Sequence, residues 1–169
     1  QLRIRARDAA AETESLLGIA AWAAQFTPSV ALEFPDALLL EVSGSLRLFG
    51  GLEKIITTLR EGLAALGFAA TAGVAPTARA ASWLARSVAP QPVGKRAPTA
   101  VTQSITTSEA LKVALASLPV SLLRGRADLP EALANLGLAT LGELLALPRD
   151  GLARRFGQGL LDQLDQALG

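Results

Sequence analysis

The chain has 169 residues, half of them apolar and 18% charged, with a net charge of +1 and no cysteine, histidine or methionine. That length supports one good core or two small subdomains, and such an apolar composition belongs to a folded chain rather than a disordered one. It excludes disulfides, thiolate metal sites, the usual zinc sets and triads built on a histidine base, and the near-zero charge argues against a protein held to DNA mainly by bulk electrostatics.

No apolar run reaches the roughly 20 residues of a membrane helix, because Arg, Glu, Gly or Pro interrupts each one. The opening Gln-Leu-Arg-Ile-Arg-Ala-Arg alternates basic and apolar residues, unlike the continuous apolar centre of a signal peptide. Without any methionine the chain reads as a piece of a longer protein. The absence of cysteine suits a reducing compartment.

Asp8 to Phe26 is predicted as a helix, with Ile19, Trp22, Ala23 and Phe26 on one apolar stripe. Thr27-Pro28 ends it, since proline disfavours helical geometry in the residue before it. Val30 to Phe34 and Ala37 to Val42 read as short strands joined at Pro35-Asp36. Gly51 to Leu66 carries the clearest helical spacing (Leu52, Ile55, Ile56, Leu59, Leu63, Leu66), and Gly67 stands where a C-terminal cap belongs.

Phe68 to Ala75 is a small-residue strand, and Thr77 to Val88 a further helix. Pro90 to Pro98 is a loop of Pro, Gly and basic residues and the best internal boundary, followed by an edge strand over Thr99 to Thr106. Beyond it the pattern is helical throughout: Ser108 to Ala116, Leu129 to Gly137, Leu141 to Leu147, Asp150 to Phe156 and Leu160 to Leu168. The expected fold class is α+β. Helices pack on an antiparallel sheet in residues 1–107, and an all-helical domain occupies 108–169. Trp22 and Trp83, with apolar neighbours on their helices, are expected in cores rather than stacked on bases.

The stretch from Pro35 to Gly50, Pro-Asp-Ala-Leu-Leu-Leu-Glu-Val-Ser-Gly-Ser-Leu-Arg-Leu-Phe-Gly, resembles the catalytic strand of the Y-family translesion DNA polymerases. That strand runs roughly S-I-D-E-A-Y-L-D-V-T-G, with L-F-G a few residues on. Phe26 to Val30 resembles the family's S-P-x-V-E lead-in. Ala70 to Ala78 resembles A-S-I-G-I-A-x-N-K, with Thr77-Ala78 in place of Asn-Lys. Leu118-Pro119-Val120 resembles the L-P-V that opens the thumb, and Leu136 to Leu144 its L-G-I-x-T-I-G-D-L. Order and spacing agree across almost the whole chain.

The departures resemble those of the polymerase-like members of the family in bacterial mutasomes, which favour Pro-Asp-x-Leu-Leu-Leu-Glu-Val-x-Gly-Ser-Leu-Arg-Leu-Phe-Gly-Gly. Thr140 to Arg149 and Ala153 to Gly157 fit the same group. The resemblance implies a partial palm followed by a helix-hairpin-helix-like thumb. It also implies a non-catalytic scaffold of the damage-induced (SOS) response and translesion synthesis, in the bacterial cytoplasm at the nucleoid. Such a scaffold bridges a RecA-like accessory protein, an error-prone replicative-type polymerase and the sliding clamp. Its clamp peptide is implied to lie outside this chain, and no cofactor is implied.

The chemistry can be weighed on the residues themselves. Two-metal phosphoryl transfer needs several carboxylates clustered around ions about 4 Å apart. Setting Glu41-Val42-Ser43-Gly44 on the family's D-V-T-G puts Asp36 on the catalytic Asp and Ala37 on the Glu. Glu41 lies further along the strand, on the opposite face by parity and roughly 17 Å away. The family's other metal-binding acid lies on a strand upstream of this chain. No catalytic residue and no metal ligand is therefore assigned. Asp36 is a vestigial position, read as a turn residue after Pro35. The alternatives are a fragment of an active translesion polymerase, which requires a carboxylate from another position to replace the missing Glu, and a simple DNA-binding module.

Leu46-Arg47-Leu48-Phe49 resembles a clamp-binding peptide of the Gln-Leu-x-Leu-Phe kind, but is read as core packing where strand turns into helix. Gly62 to Ser108 contains Arg79, Arg86, Lys95 and Arg96 and no acidic residue, which makes those four side chains candidates for DNA contact. Arg154 and Arg155, followed by Phe156-Gly157-Gln158-Gly159-Leu160, form a second candidate. A turn at Gly157 and Gly159 would aim backbone N–H groups and a helix N-terminus at phosphates. Where active members carry a Gly-x-Gly phosphate turn, this chain has Arg124-Gly125-Arg126-Ala127-Asp128. Arg124 to Arg155 contains five arginines against Asp128, Glu131, Glu143 and Asp150, so only weak DNA contact is expected.

Overall fold

The computed structural model describes residues 8–88, 102–124 and 128–169. The chain divides into two compact units between Ala70 and Thr71.

In the first unit, α1 (Ala9–Ala23) starts where Asp8 caps it, the Ala11 N–H donating to Asp8 Oδ1 at 3.0 Å, which satisfies one of the helix's orphan donors. It stops at Ala23, short of Phe26, and Phe26 folds back in a turn through its N–H to the Ala23 carbonyl. Leu16, Ala23 and Phe26 are buried, and Trp22 meets Phe26 edge to face at 5.3 Å between ring centroids. The indole also lies over Gly62, where an added Cβ would fall 2.2 Å from it. Only glycine allows that approach.

Thr27 is buried, accepts from the Ser29 N–H at 3.1 Å and donates its hydroxyl to the Glu41 carbonyl. It thereby ties the start of one strand to the end of the next. β1 (Val30–Glu33) and β2 (Ala37–Leu40) pair antiparallel, Val30 opposite Leu40 and Glu33 opposite Ala37. Phe34, Pro35 and Asp36 make the turn, with a cis peptide before Pro35.

A 3₁₀ turn (Ser43–Ser45) leads into the short helix α2 (Leu46–Phe49) and then α3 (Leu52–Ala65). α3 buries Ile55 and Ile56, two members of its predicted stripe. It ends as the sequence predicts, with Gly67 at φ 85°. The Phe68 N–H bonds the Leu63 carbonyl at 2.9 Å and the Gly67 N–H the Ala64 carbonyl at 3.0 Å, the pairing of a Schellman cap.

The second unit begins with β3 (Ala72–Val74), which pairs with β4 (Thr102–Ser104), Ala72 opposite Thr102 and Val74 opposite Ser104. The antiparallel sheet expected from the sequence is the β1–β2 hairpin. The β3–β4 pair is parallel, because the connection between its strands is a long crossover that includes α4 (Ala78–Ser87) rather than a tight turn. α5 (Ser108–Ala116), a 3₁₀ turn (Val120–Leu122), α6 (Leu129–Ala134), α7 (Leu141–Leu145), α8 (Arg149–Phe156) and α9 (Gln158–Leu168) complete the unit. No helix among the described residues is long and apolar enough to cross a membrane.

One core serves all of it. Ala80, Trp83 and Leu84 of α4 are buried together with Leu111 and Leu115 of α5, Leu133, Leu141 and Leu144 of α6 and α7, and Leu164 of α9. Helix α4 shares this core with the helices that follow Ser108. Trp83 is thus a core residue, and Trp22 is half-buried against Phe26.

α7 opens on a capping box. Thr140 Oγ1 accepts from the Glu143 N–H at 3.3 Å, and the Glu143 carboxylate accepts from the N–H groups of Thr140 (2.9 Å) and Ala139 (2.7 Å). The bonds from Thr140 and then Ala139 hold the Glu143 carboxyl below its ordinary value. Thr140→Ala is expected to cost about 1 kcal/mol in urea unfolding. Because the folded value is the depressed one, Glu143 stabilises the fold fully above the ordinary carboxylate range. That contribution is lost as pH falls through the depressed value. A Glu143→Gln variant should therefore differ from the parent at neutral pH and converge on it in acid, as read from unfolding midpoints across pH.

Candidate nucleic-acid interface

Asp36 sits in the exposed turn between β1 and β2, and Ala37 opens β2 half-buried. An open groove runs beside that turn, lined by Asp8, Glu12, Leu16, Ile19, Pro35 and Phe68 among others. Glu41 directly follows the last residue of β2. Its Oε1 accepts from the Ser43 N–H at 2.9 Å, and bonds from the Ser43 side chain and backbone hold its carboxyl below the ordinary value. Glu41 therefore secures the start of the 3₁₀ turn that follows β2. Among the described residues, no group of three or more His, Cys, Asp or Glu side chains is arranged to hold a metal ion.

The Leu46 to Phe49 segment divides between its two readings. Phe49 packs on Phe26 with ring centroids 5.4 Å apart, as core packing requires, but Leu48 is 83% exposed.

The described arginines among the candidate DNA contacts fall on α4 and α8 of the second unit. Arg79 lies in the first turn of α4, its Nε 3.4 Å and its Nη2 3.1 Å from Gln166 Oε1 on α9. Arg86 lies in the last turn of α4. Lys95 and Arg96 lie outside the described residues. Arg154 and Arg155 are exposed in the last turn of α8, where cations complement the helix dipole, and the Arg155 guanidinium stands 5.8 Å from the centre of the Phe156 ring.

Gly157, at φ 91°, is the single residue joining α8 to α9. Gly159 is exposed in the first turn of α9, with open space where a Cβ would go. No acidic side chain lies in that first turn, so the positive end of the helix is presented without a compensating carboxylate. Of the Arg124 to Asp128 turn, residues 125–127 lie outside the described residues.

Sequence reasoning missed the long-range contacts that hold these helices together. Gln163 of α9 accepts from the Arg124 N–H at 2.9 Å and donates back to the Arg124 carbonyl. Arg149 pairs with Asp165 at 2.6 Å, a contact that raises the guanidinium's already high value. Thr77 Oγ1 donates to the Ala167 carbonyl at 2.9 Å. Each joins residues far apart in the chain, and no local pattern announces them.

A small antiparallel hairpin amid packed helices, with a helical tail closed by a glycine-linked helix pair, is an α+β arrangement consistent with part of a polymerase-like palm and thumb. No protein-family model matches the chain. Protein ImuB of Caulobacter vibrioides does match it: in strain NA1000 / CB15N, 39% of 166 residues are identical, covering 96% of this chain and 33% of the relative. ImuB of strain ATCC 19089 / CIP 103742 / CB 15 matches with the same figures. The chain is thus similar to part of ImuB over almost its whole length, as the resemblance of its Pro35 to Gly50 stretch implies, and it spans about a third of the length of the curated relatives it matches.

Proposed function

We propose that this chain is part of a non-catalytic, polymerase-like scaffold that acts in damage-induced mutagenesis and translesion synthesis. Residues 1–107 correspond to a partial palm and 108–169 to a helix-hairpin-helix-like thumb. The scaffold bridges a RecA-like accessory protein of the ImuA type, an error-prone replicative-type polymerase and, through a region outside this chain, the sliding clamp. It touches DNA weakly and works in the bacterial cytoplasm at the nucleoid.

The observation that carries the reading is the pairing of ImuB similarity over almost the whole chain with the fate of the catalytic strand. The position of the family's Glu is Ala37, Asp36 stands in an exposed turn, and Glu41 is committed to a local cap. Two-metal phosphoryl transfer needs several clustered carboxylates, and the family's adjacent Asp-Glu pair is reduced here to Asp36.

The test is capture of the purified chain by three partners offered separately: the accessory protein, the error-prone polymerase and primer-template DNA, each at low and at physiological salt. Protein capture that resists salt, with little DNA retained, is the expected result. Template-dependent extension by the longer protein, abolished by Asp36→Ala, would overturn the non-catalytic reading. The arginines of α4 and α8 favour a second reading, a plain DNA-binding module. That module would capture DNA alone, with a log–log salt slope of about −0.9 per phosphate neutralised.

A further inference from the structure

Thr77 occupies the place where the resembling polymerases carry the Asn of an Asn-Lys pair, and here its hydroxyl has two partners. It accepts from the Ala80 N–H at 3.3 Å, capping α4, and it donates to the Ala167 carbonyl at 2.9 Å in the last turn of α9. The first contact satisfies an orphan donor and the second an orphan acceptor, one at each helix end. Beside it the Arg79 guanidinium holds Gln166 Oε1. Ala80 and Ala167 are both fully buried. The positive end of α4 therefore meets the negative end of α9, an arrangement that the helix dipoles favour. The opposite end of α9 is Gly157, next to Arg154 and Arg155.

We propose that Thr77 is a positioning residue: its hydroxyl latches α9 onto α4, so that Arg79 and Arg86 on α4 and Arg154 and Arg155 on α8 meet a nucleic acid as one preorganised surface rather than as two independent ones. The proposal rests on the DNA contact proposed above. Its physical basis is that a second contact on a rigid body is made at high effective concentration, without repeating the ordering cost of the first.

The experiment pairs two readouts on the full chain. Hydrogen exchange over residues 160–169 reads the latch, and titration of a fluorescent single-stranded oligonucleotide at low salt reads the surface. Thr77→Val keeps the shape and removes the hydroxyl. It should speed exchange in α9 about tenfold, the scale of a lost cap, and weaken oligonucleotide binding several-fold with the salt slope unchanged. Thr77→Ser, which keeps both hydrogen bonds, should restore both readouts. If Thr77→Val does not fold, Gln166→Ala removes the acceptor of Arg79 without touching the cap, and a smaller change in the same directions is expected.

Unchanged α9 exchange in the valine variant would overturn the latch. Faster exchange with unchanged oligonucleotide affinity would overturn the single surface. Absence of oligonucleotide binding by the parent, with the exchange effect present, would overturn the DNA reading and the single surface with it while leaving the helix contact standing.

Discussion

Trp83→Ala is expected to destabilise the second unit by about 3–5 kcal/mol, the largest effect of any single substitution proposed for this chain. The indole is 1% exposed in a core that also holds Leu84 of its own helix and the leucines of α5, α6, α7 and α9. Removing it takes away the largest buried side chain at the point where α4 meets the helices beyond Ser108. A small domain is stable by only about 5–15 kcal/mol, so a loss of that size consumes much of the total. Urea unfolding followed by circular dichroism measures it. Trp22, in the other unit, supplies an indole signal that the substitution leaves in place. A midpoint shift worth under about 1 kcal/mol, well below the range for truncating a buried aromatic, would mean that Trp83 does not join the two halves of this unit.

Gly73→Ala is expected to cost at least about 1–3 kcal/mol, although it adds a single methyl group. A Cβ at this position of β3 would stand 2.4 Å from the Ala81 carbonyl oxygen, 2.5 Å from the Ala85 nitrogen and 2.9 Å from Leu84 Cβ. The first two are backbone atoms of α4, so no rotamer change relieves the clash, and the strand or the helix must move. Gly151→Ala is the control. It adds the same methyl in open space on α8 and should stabilise the helix by roughly 0.5–1 kcal/mol. Equal destabilisation by both substitutions would mean that β3 and α4 are not in close contact. Thermal unfolding of the two variants beside the parent decides it.

The two substitutions mark the limits of what a local pattern conveys. Helix α3 was legible because its apolar residues repeat at helical spacing and its stop signal, Gly67, is a residue whose backbone freedom the cap uses. The hairpin was legible because Pro35-Asp36 separates two short apolar runs. The end of α1 was not. Phe26 continues the helical stripe, yet packing against Trp22 and Phe49 draws it into a turn. The direction of β3 against β4 was not legible either, since neither strand's residues state which neighbour it finds.

The candidate site divides in the same way. That Asp36-Ala37 stands where the resembling polymerases carry Asp-Glu is a matter of residue identity along the chain. The similarity to ImuB is likewise carried by the order of residues along the chain. The role of Thr77 belongs to the tertiary structure, because its acceptor on Ala167 lies 90 positions away. So do the hold of Gln163 on the Arg124 backbone and the pairing of Arg149 with Asp165. Periodicity and caps are short-range properties of a chain and can be read along it. Hydrogen bonds between helix ends exist only once burial of the leucine core has brought those ends together.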